Sequence, residues 1–268
     1  MCRLFGSRSQ EPERAARELV RAENALRVQS VAHPDGWGIG WYTNDSPHVV
    51  RSVEPAHADL RFTEESELLH AQTVIAHVRK ASIGRIAFEN THPFQLGRWL
   101  FVHNGTIPNW ERCCAAIDEQ LEPSVRRALV GETDSERCAA LFFSLLARRC
   151  DPQDAPFAET VFALRQTVAL VRSASEPNAQ EAASTTFLLT DGRAMVACRR
   201  GRTLHACVPA PGADGRVAWL ALSSEHPHGN AEAGTAGHRG NWIPLEEDSW
   251  IGVDADLRLH RGSLDHAE

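Results

Sequence analysis

Apolar residues along this chain come in short bursts separated by polar turns, and their spacing distinguishes strands from helices. Trp37 to Thr43, Val49 to Val53, Thr73 to Val78 and Trp99 to Val102 are short runs of strand character, which predicts strands. Glu111 to Ile117, Ser135 to Arg149 and Phe157 to Arg172 read as helices, the second with Leu141, Phe142, Leu145 and Leu146 at helical spacing. A short apolar stretch, Cys2 to Gly6, opens the chain. A helix entered near Pro12 is expected next, with Leu19, Val20 and Leu26 on one side. The polar segment Ser173 to Ser184 reads as a loop. Strands resume at Thr185 to Thr190, Arg193 to Arg199, Thr203 to Val208 and Val217 to Ser223. His226 to Gly240, rich in Gly, His and Ala, reads as an exposed loop before a last strand pair, Trp250 to Val253 and Leu257 to His260. Two groups of strands, with helices between and beside them, predict an α+β layered fold rather than a parallel βαβ series. No internal repeat or boundary interrupts the chain, so residues 1–268 read as a single domain.

Composition narrows the picture. The 268 residues are 43% hydrophobic and 24% charged, which is ordinary for a chain that buries a full core. A net charge of −7 argues against a broad nucleic-acid surface. Lys80 is the only lysine, a skew that fits codon usage better than a binding device. No apolar run approaches the roughly 20 residues of a membrane span. Met1-Cys2-Arg3-Leu4-Phe5-Gly6 carries no secretory h-region, so the cytoplasm is the expected location. The seven cysteines follow no regular framework and are expected to be reduced. Neither CxxC pairs nor metal-ligand histidine spacing occurs, so no metal and no cofactor is expected.

The chemistry begins at position 2. Removal of Met1 would leave Cys2 with a thiol and a free α-amine on one residue. That amine has an ordinary pKa of about 7.7–8.0 and can act as a general base. His33-Pro34-Asp35-Gly36-Trp37-Gly38-Ile39-Gly40 is a glycine-rich turn entering a strand, where glycine lets another segment approach closely. Ala76 to Gly84 ends a strand with Arg79 and Ser82 in a loop, and Arg79 suits a carboxylate held bidentately. The Asn104-Gly105 pair is either a plain hairpin turn or a side-chain amide plus a backbone N–H for an oxyanion. In Gly131-Glu132-Thr133-Asp134-Ser135-Glu136, Thr133 or Asp134 is the expected N-cap of a helix.

Taken as an ordered series, Cys2, Arg79, Asn104-Gly105 and Asp134 resemble the active-site series of class II glutamine amidotransferases, which are N-terminal-nucleophile (Ntn) hydrolases. The wording MCRLFG, HPDGWGI, AHVRKAS, ENTHPF, HNG, GETDSE and LLTDGR is most similar to the stand-alone YafJ-type branch. The resemblance covers residues 1 to about 200, and the C-terminal third matches loosely. It implies a four-layer αββα sandwich and hydrolysis of the γ-amide of glutamine through a Cys2 thioester. It also implies roles. Cys2 is the nucleophile and its α-amine the base; Asn104 and Gly105 form the oxyanion hole. Arg79, helped by Ser82, binds the α-carboxylate; Asp134 binds the α-ammonium; His33, Asp35 and Gly36 line the pocket. Lys80 departs from the aromatic residue that related glutaminases often carry after the arginine. Two alternatives share these residues: an amidohydrolase of another γ-glutamyl compound, and a catalytically retired binding module. With no P-loop and no second catalytic domain in the chain, any ammonia-accepting partner is expected to be a separate protein.

Overall fold

The computed structural model describes residues 2–176, 182–227 and 241–265. Its strands are β1 (Arg3–Arg14), β2 (Trp37–Thr43), β3 (Ser46–Ser52), β4 (His70–Val78), β5 (Phe94–Leu96), β6 (Trp99–Asn104), β7 (Thr186–Thr190), β8 (Met195–Arg199), β9 (His205–Cys207), β10 (Trp219–Ser223), β11 (Ile243–Pro244), β12 (Ser249–Val253) and β13 (Leu259–Ser263). The α-helices are α1 (Leu26–Gln29), α2 (Leu60–Leu68), α3 (Trp110–Asp118), α4 (Pro123–Arg127), α5 (Asp134–Ala147) and α6 (Phe157–Ser175).

Two antiparallel sheets form, in the orders β11-β9-β10-β1-β4-β2-β3 and β13-β12-β8-β7-β6-β5. Alternation along the strands sends one set of side chains between the sheets and the other outward. Leu4, Ile75, Leu100, Val102, Leu188 and Leu222 fill the space between them. Phe5, Leu26, Trp37 and Phe62 cover the outer face of the first sheet, with Trp37 and Phe62 edge to face at 5.2 Å. Trp99, Phe101, Phe142, Leu164, Val168 and Phe187 cover the outer face of the second under α5 and α6. The result is helices, sheet, sheet, helices: the αββα sandwich that the resemblance implies.

Several boundaries differ from expectation, each for a physical reason. The first strand does not stop at Gly6 but runs through Pro12 to Arg14, and the first helical turn is a short π-helix, Arg17–Arg21. Pairing of β1 with β4 shifts between Arg8 and Glu13, and Pro12 falls in that irregular span, where its missing N–H breaks no β4 ladder bond. Helix α2 was not anticipated, because only Phe62 and Ser66 are buried while Leu60 and Leu68 face outward. α4 is a single Pro-initiated turn. α6 continues to Ser175, past the expected loop start at Ser173, and residues 177–181 of that loop lie outside the described residues. Most of the expected loop His226 to Gly240 also lies outside them. Leu257 is a turn residue with φ +61° rather than the start of the last strand.

Candidate active site

Strand β1 is central in its sheet, and pairing of Arg3 with Val78 sets Cys2 against the end of β4. The Cys2 thiol lies 3.4 Å from the Lys80 N–H and 3.5 Å from the Lys80 carbonyl oxygen. It is buried, and burial pushes its pKa up, opposed by the Lys80 backbone and by the positive charge of Arg79. A thiol in that position is held protonated at rest and needs a base before it becomes a nucleophile.

Arg79 is also buried. Its guanidinium donates to the carbonyls of Arg85 (3.0 Å), Ile83 (3.1 Å) and Gly84 (3.2 Å), so it orders the 83–85 loop around itself. Burial lowers its pKa, and Cys2, Asp35, Asp134 and Glu132 oppose that shift. Asp35 and Gly36 support the same turn from behind. Asp35 Oδ2 accepts from Ala81 N at 2.8 Å, and Gly36 O accepts from Arg79 N at 2.8 Å. Gly36 has φ +118°, and a Cβ there would press on the Ser52 carbonyl oxygen, so glycine is required. His33 is buried close by, with Nδ1 donating to Gln29 O at 2.6 Å; burial lowers its pKa, and the positive charge of Arg3 adds to that. Its Nδ1 is thus occupied by the α1 backbone.

The second sheet supplies the other half. Asn104 ends β6, and its Oδ1 is buried without a hydrogen-bond partner among the described residues. At Gly105 an added Cβ would overlap the Ser184 carbonyl oxygen and the His103 ring, so the turn admits only glycine. Thr133 is the N-cap of α5, accepting from Glu136 N at 3.1 Å, which leaves Asp134 as the first helical residue. There its carboxylate benefits from the positive end of the helix. Asp134 Oδ2 accepts from Ile107 N at 2.9 Å and Oδ1 from Ser135 N at 2.8 Å. Ser82 is exposed and bonds Thr106 Oγ1 at 3.2 Å. Ser82, Ile83, Thr106, Ile107 and Trp110 line a cleft of about 610 Å³ at this end of the site.

The structure therefore gathers Cys2, Arg79, Asp35, Gly36 and His33 at one end of the first sheet, and Asn104, Gly105 and Asp134 at the end of the other. It adds groups that sequence reasoning left unassigned. The Lys80 peptide touches the thiol. Asn90, fully buried, joins the two substrate-side loops by donating to Arg85 O (3.1 Å) and accepting from Glu132 N (3.0 Å). His77 and His103 stand behind the site, with His77 Nε2 3.2 Å from His103 O. The histidines in AHVRKAS, ENTHPF and HNG were the visible signal, but nothing in their spacing showed that the His77 and His92 rings would lie tilted against each other at 4.0 Å.

Among the described residues, no helix is long and apolar enough to cross a membrane.

A family model described as glutamine amidotransferases class-II matches residues 1–218. Over 226 residues the chain is 27% identical to "Probable glutamine amidotransferase DUG3" of Saccharomyces cerevisiae, covering 74% of this chain and 63% of that protein. YafJ of Escherichia coli is 32% identical over 122 residues, 44% of each chain. The gamma-glutamyl-hercynylcysteine sulfoxide hydrolase of Mycobacterium tuberculosis is 36% identical over 92 residues, 31% of this chain and 40% of that one. The matches thus span less than two thirds of each of these relatives. A solved glutamine aminotransferase class-II domain protein from Silicibacter pomeroyi superposes with a TM-score of 0.64 at 17% identity, over 99% of this chain and all of that one, a likeness of fold.

Proposed function

This chain belongs to the class II glutamine amidotransferases, and on that premise we propose that it hydrolyses the γ-amide of glutamine through Cys2 once removal of Met1 has freed the Cys2 α-amine. The observation that carries this reading is where the two charges stand: Arg79 immediately precedes Lys80, whose N–H lies 3.4 Å from the buried Cys2 thiol, and Asp134 accepts from Ile107 N at 2.9 Å just beyond the Asn104-Gly105 turn. Glutamine is a zwitterion at its far end, so recognition there takes one fixed charge of each sign. We assign Arg79, with Ser82, to the α-carboxylate and Asp134 to the α-ammonium. His33, Asp35 and Gly36 shape the wall of the pocket.

The α-amine takes the thiol proton as sulfur attacks the γ-carbonyl carbon. The negative charge that develops on the carbonyl oxygen is held by Asn104 Nδ2 and Gly105 N–H, each such donor being worth about 2.7–4 kcal/mol of barrier. The proton passes to the departing nitrogen, ammonia leaves, and water opens the thioester to release glutamate. We take the whole chain as one catalytic domain, with any ammonia acceptor a separate protein.

A second reading keeps the chemistry and changes the leaving group: hydrolysis of a larger γ-glutamyl compound. The likeness to a gamma-glutamyl-hercynylcysteine sulfoxide hydrolase favours it. Glutamate release from glutamine, glutathione and a set of γ-glutamyl amines, with Cys2→Ala as control, separates the two. Brisk turnover of glutamine supports the first reading and preference for a bulkier amine the second. If no substrate is turned over and a glutamine-mimetic electrophile fails to label Cys2, the chain is a retired binding module and both readings fall.

A further inference from the structure

Behind Asp134 runs a chain of polar contacts that the catalytic scheme does not use. His103 Nε2 is 2.8 Å from the Ser184 carbonyl oxygen, His103 Nδ1 is 2.9 Å from Ser135 Oγ, and Ser135 Oγ is 3.2 Å from Asp134 Oδ1. His103 is 1% and Ser135 7% exposed, so water competes little for these bonds.

Proton counting makes this arrangement two-state. A carbonyl only accepts, so Nε2 carries a hydrogen in either state of the ring. In the neutral ring Nδ1 is then an acceptor, and the single Ser135 hydroxyl proton goes to it, pointing away from Asp134. In the charged ring Nδ1 donates to Ser135 Oγ, and the hydroxyl turns its proton to Asp134 Oδ1. The carboxylate is then partly neutralised by a hydrogen bond backed by a cation. The serine hydroxyl has one proton and cannot serve both neighbours.

We infer that His103 and Ser135 are positioning residues that keep the Ser135 hydroxyl proton off the Asp134 carboxylate, leaving that carboxylate for the substrate ammonium, only while the His103 ring is neutral. The inference rests on the assignment of Asp134 to that ammonium. The groups around the ring set where it switches. Burial pushes His103 down from its ordinary value; Asp134 opposes this most strongly, with the Ser184 carbonyl, and Arg202 pushes the ring further down. His77 bears on it from β4, and the His92 ring lies tilted against His77. Around Asp134 itself stand Arg79 and the thiols of Cys2, Cys113 and Cys138. Because the shift is downward, the loss of affinity belongs below pH 6.5. His77 Nε2, bonding the His103 carbonyl, fixes the backbone of His103 as well.

The probe is L-glutamate, whose α-carbon groups match those of glutamine and whose binding needs no turnover. Calorimetric affinity should fall severalfold between pH 7.5 and 5 in the wild type. Ser135→Ala should flatten that fall, and Ser135→Thr, which keeps the hydroxyl, should restore it. Linkage requires the reciprocal effect: in ¹⁵N-imidazole spectra of the wild-type protein, glutamate should lower the His103 pKa, by about half a unit or more. Asp134→Asn serves as the discriminating control. If it leaves affinity unchanged, the assignment of Asp134 is wrong. If it weakens affinity while Ser135→Ala keeps the wild-type pH profile, the assignment survives and the relay is overturned. A wild-type affinity that is flat from pH 7.5 to 5 also overturns the relay. Should Ser135→Ala fail to fold, a His103 pKa indifferent to glutamate decides against it.

Discussion

Residue by residue, the proposed site divides into groups assigned to the substrate and groups that hold those in place. Cys2→Ala should remove turnover altogether while leaving the fold intact, since a buried thiol exchanged for a methyl costs little packing. Mass analysis of active protein should show a chain beginning at Cys2; active protein that retains Met1 would contradict the α-amine as base. Asn104→Ala should lower kcat by about 10²–10³ with little change in KM, the signature of an interaction made in the transition state. An Asn104→Ala variant within a few-fold of wild-type kcat would remove Asn104 from the oxyanion hole. Arg79→Lys keeps the charge but loses the planar fork that bridges three carbonyls, so KM for glutamine should rise by about tenfold or more. Cys2, Arg79, Asn104 and Asp134 could be singled out in the sequence as candidates because they lie in an ordered series of motifs. Ser135 and His103 were not, because a serine and a histidine next to such residues carry no mark of which way their protons point.

Elements bring those residues together by turns that leave no room for side chains. Gly105→Ala would drive a methyl into the Ser184 carbonyl oxygen, a rigid backbone atom. Gly6→Ala meets instead the Leu188 side chain, which can shift. Urea unfolding should therefore show a larger loss for Gly105→Ala than for Gly6→Ala, and the reverse order would mean that the 104–105 turn yields more than its packing suggests. On α5, Phe142 packs edge to face on Trp99 at 5.2 Å, and Phe142→Ala should cost about 3–5 kcal/mol. The helices with a clear apolar stripe, α3, α5 and α6, were read from the sequence to within a few residues. α2 escaped because a helix that buries one large side chain has no stripe to read. The tail of β1 escaped because Pro12 signals a break locally, whereas the pairing of Glu13 with Ala71 that continues the strand lies some sixty residues away.

Across the molecule, the buried histidines tie stability to pH. His77 is fully buried, and burial lowers its pKa to about 3; His92 moves in the same direction. In the unfolded chain these rings take up protons as pH falls below about 6.5, while folded His77 stays neutral until about pH 3. Their neutral burial is thus tolerated in full above pH 6.5, and stability is lost as pH falls through that window, at about 1.4 kcal/mol per pH unit for each such ring. Urea midpoints should drop between pH 7.5 and 5, and a folded His77→Gln variant should show a shallower drop; equal slopes would mean that His77 does not contribute. By itself the sequence determined the α+β layering, most strands, the principal helices and the candidates for the chemistry, because periodicity and functional groups are properties of short stretches of chain. Only the tertiary structure decided that β1 lies at the centre of its sheet, that the two sheets bring Cys2 and Asn104 to one end, and that Ser135 stands between His103 and Asp134. Those are relations between distant segments, selected by the burial of whole faces, and no local pattern encodes them.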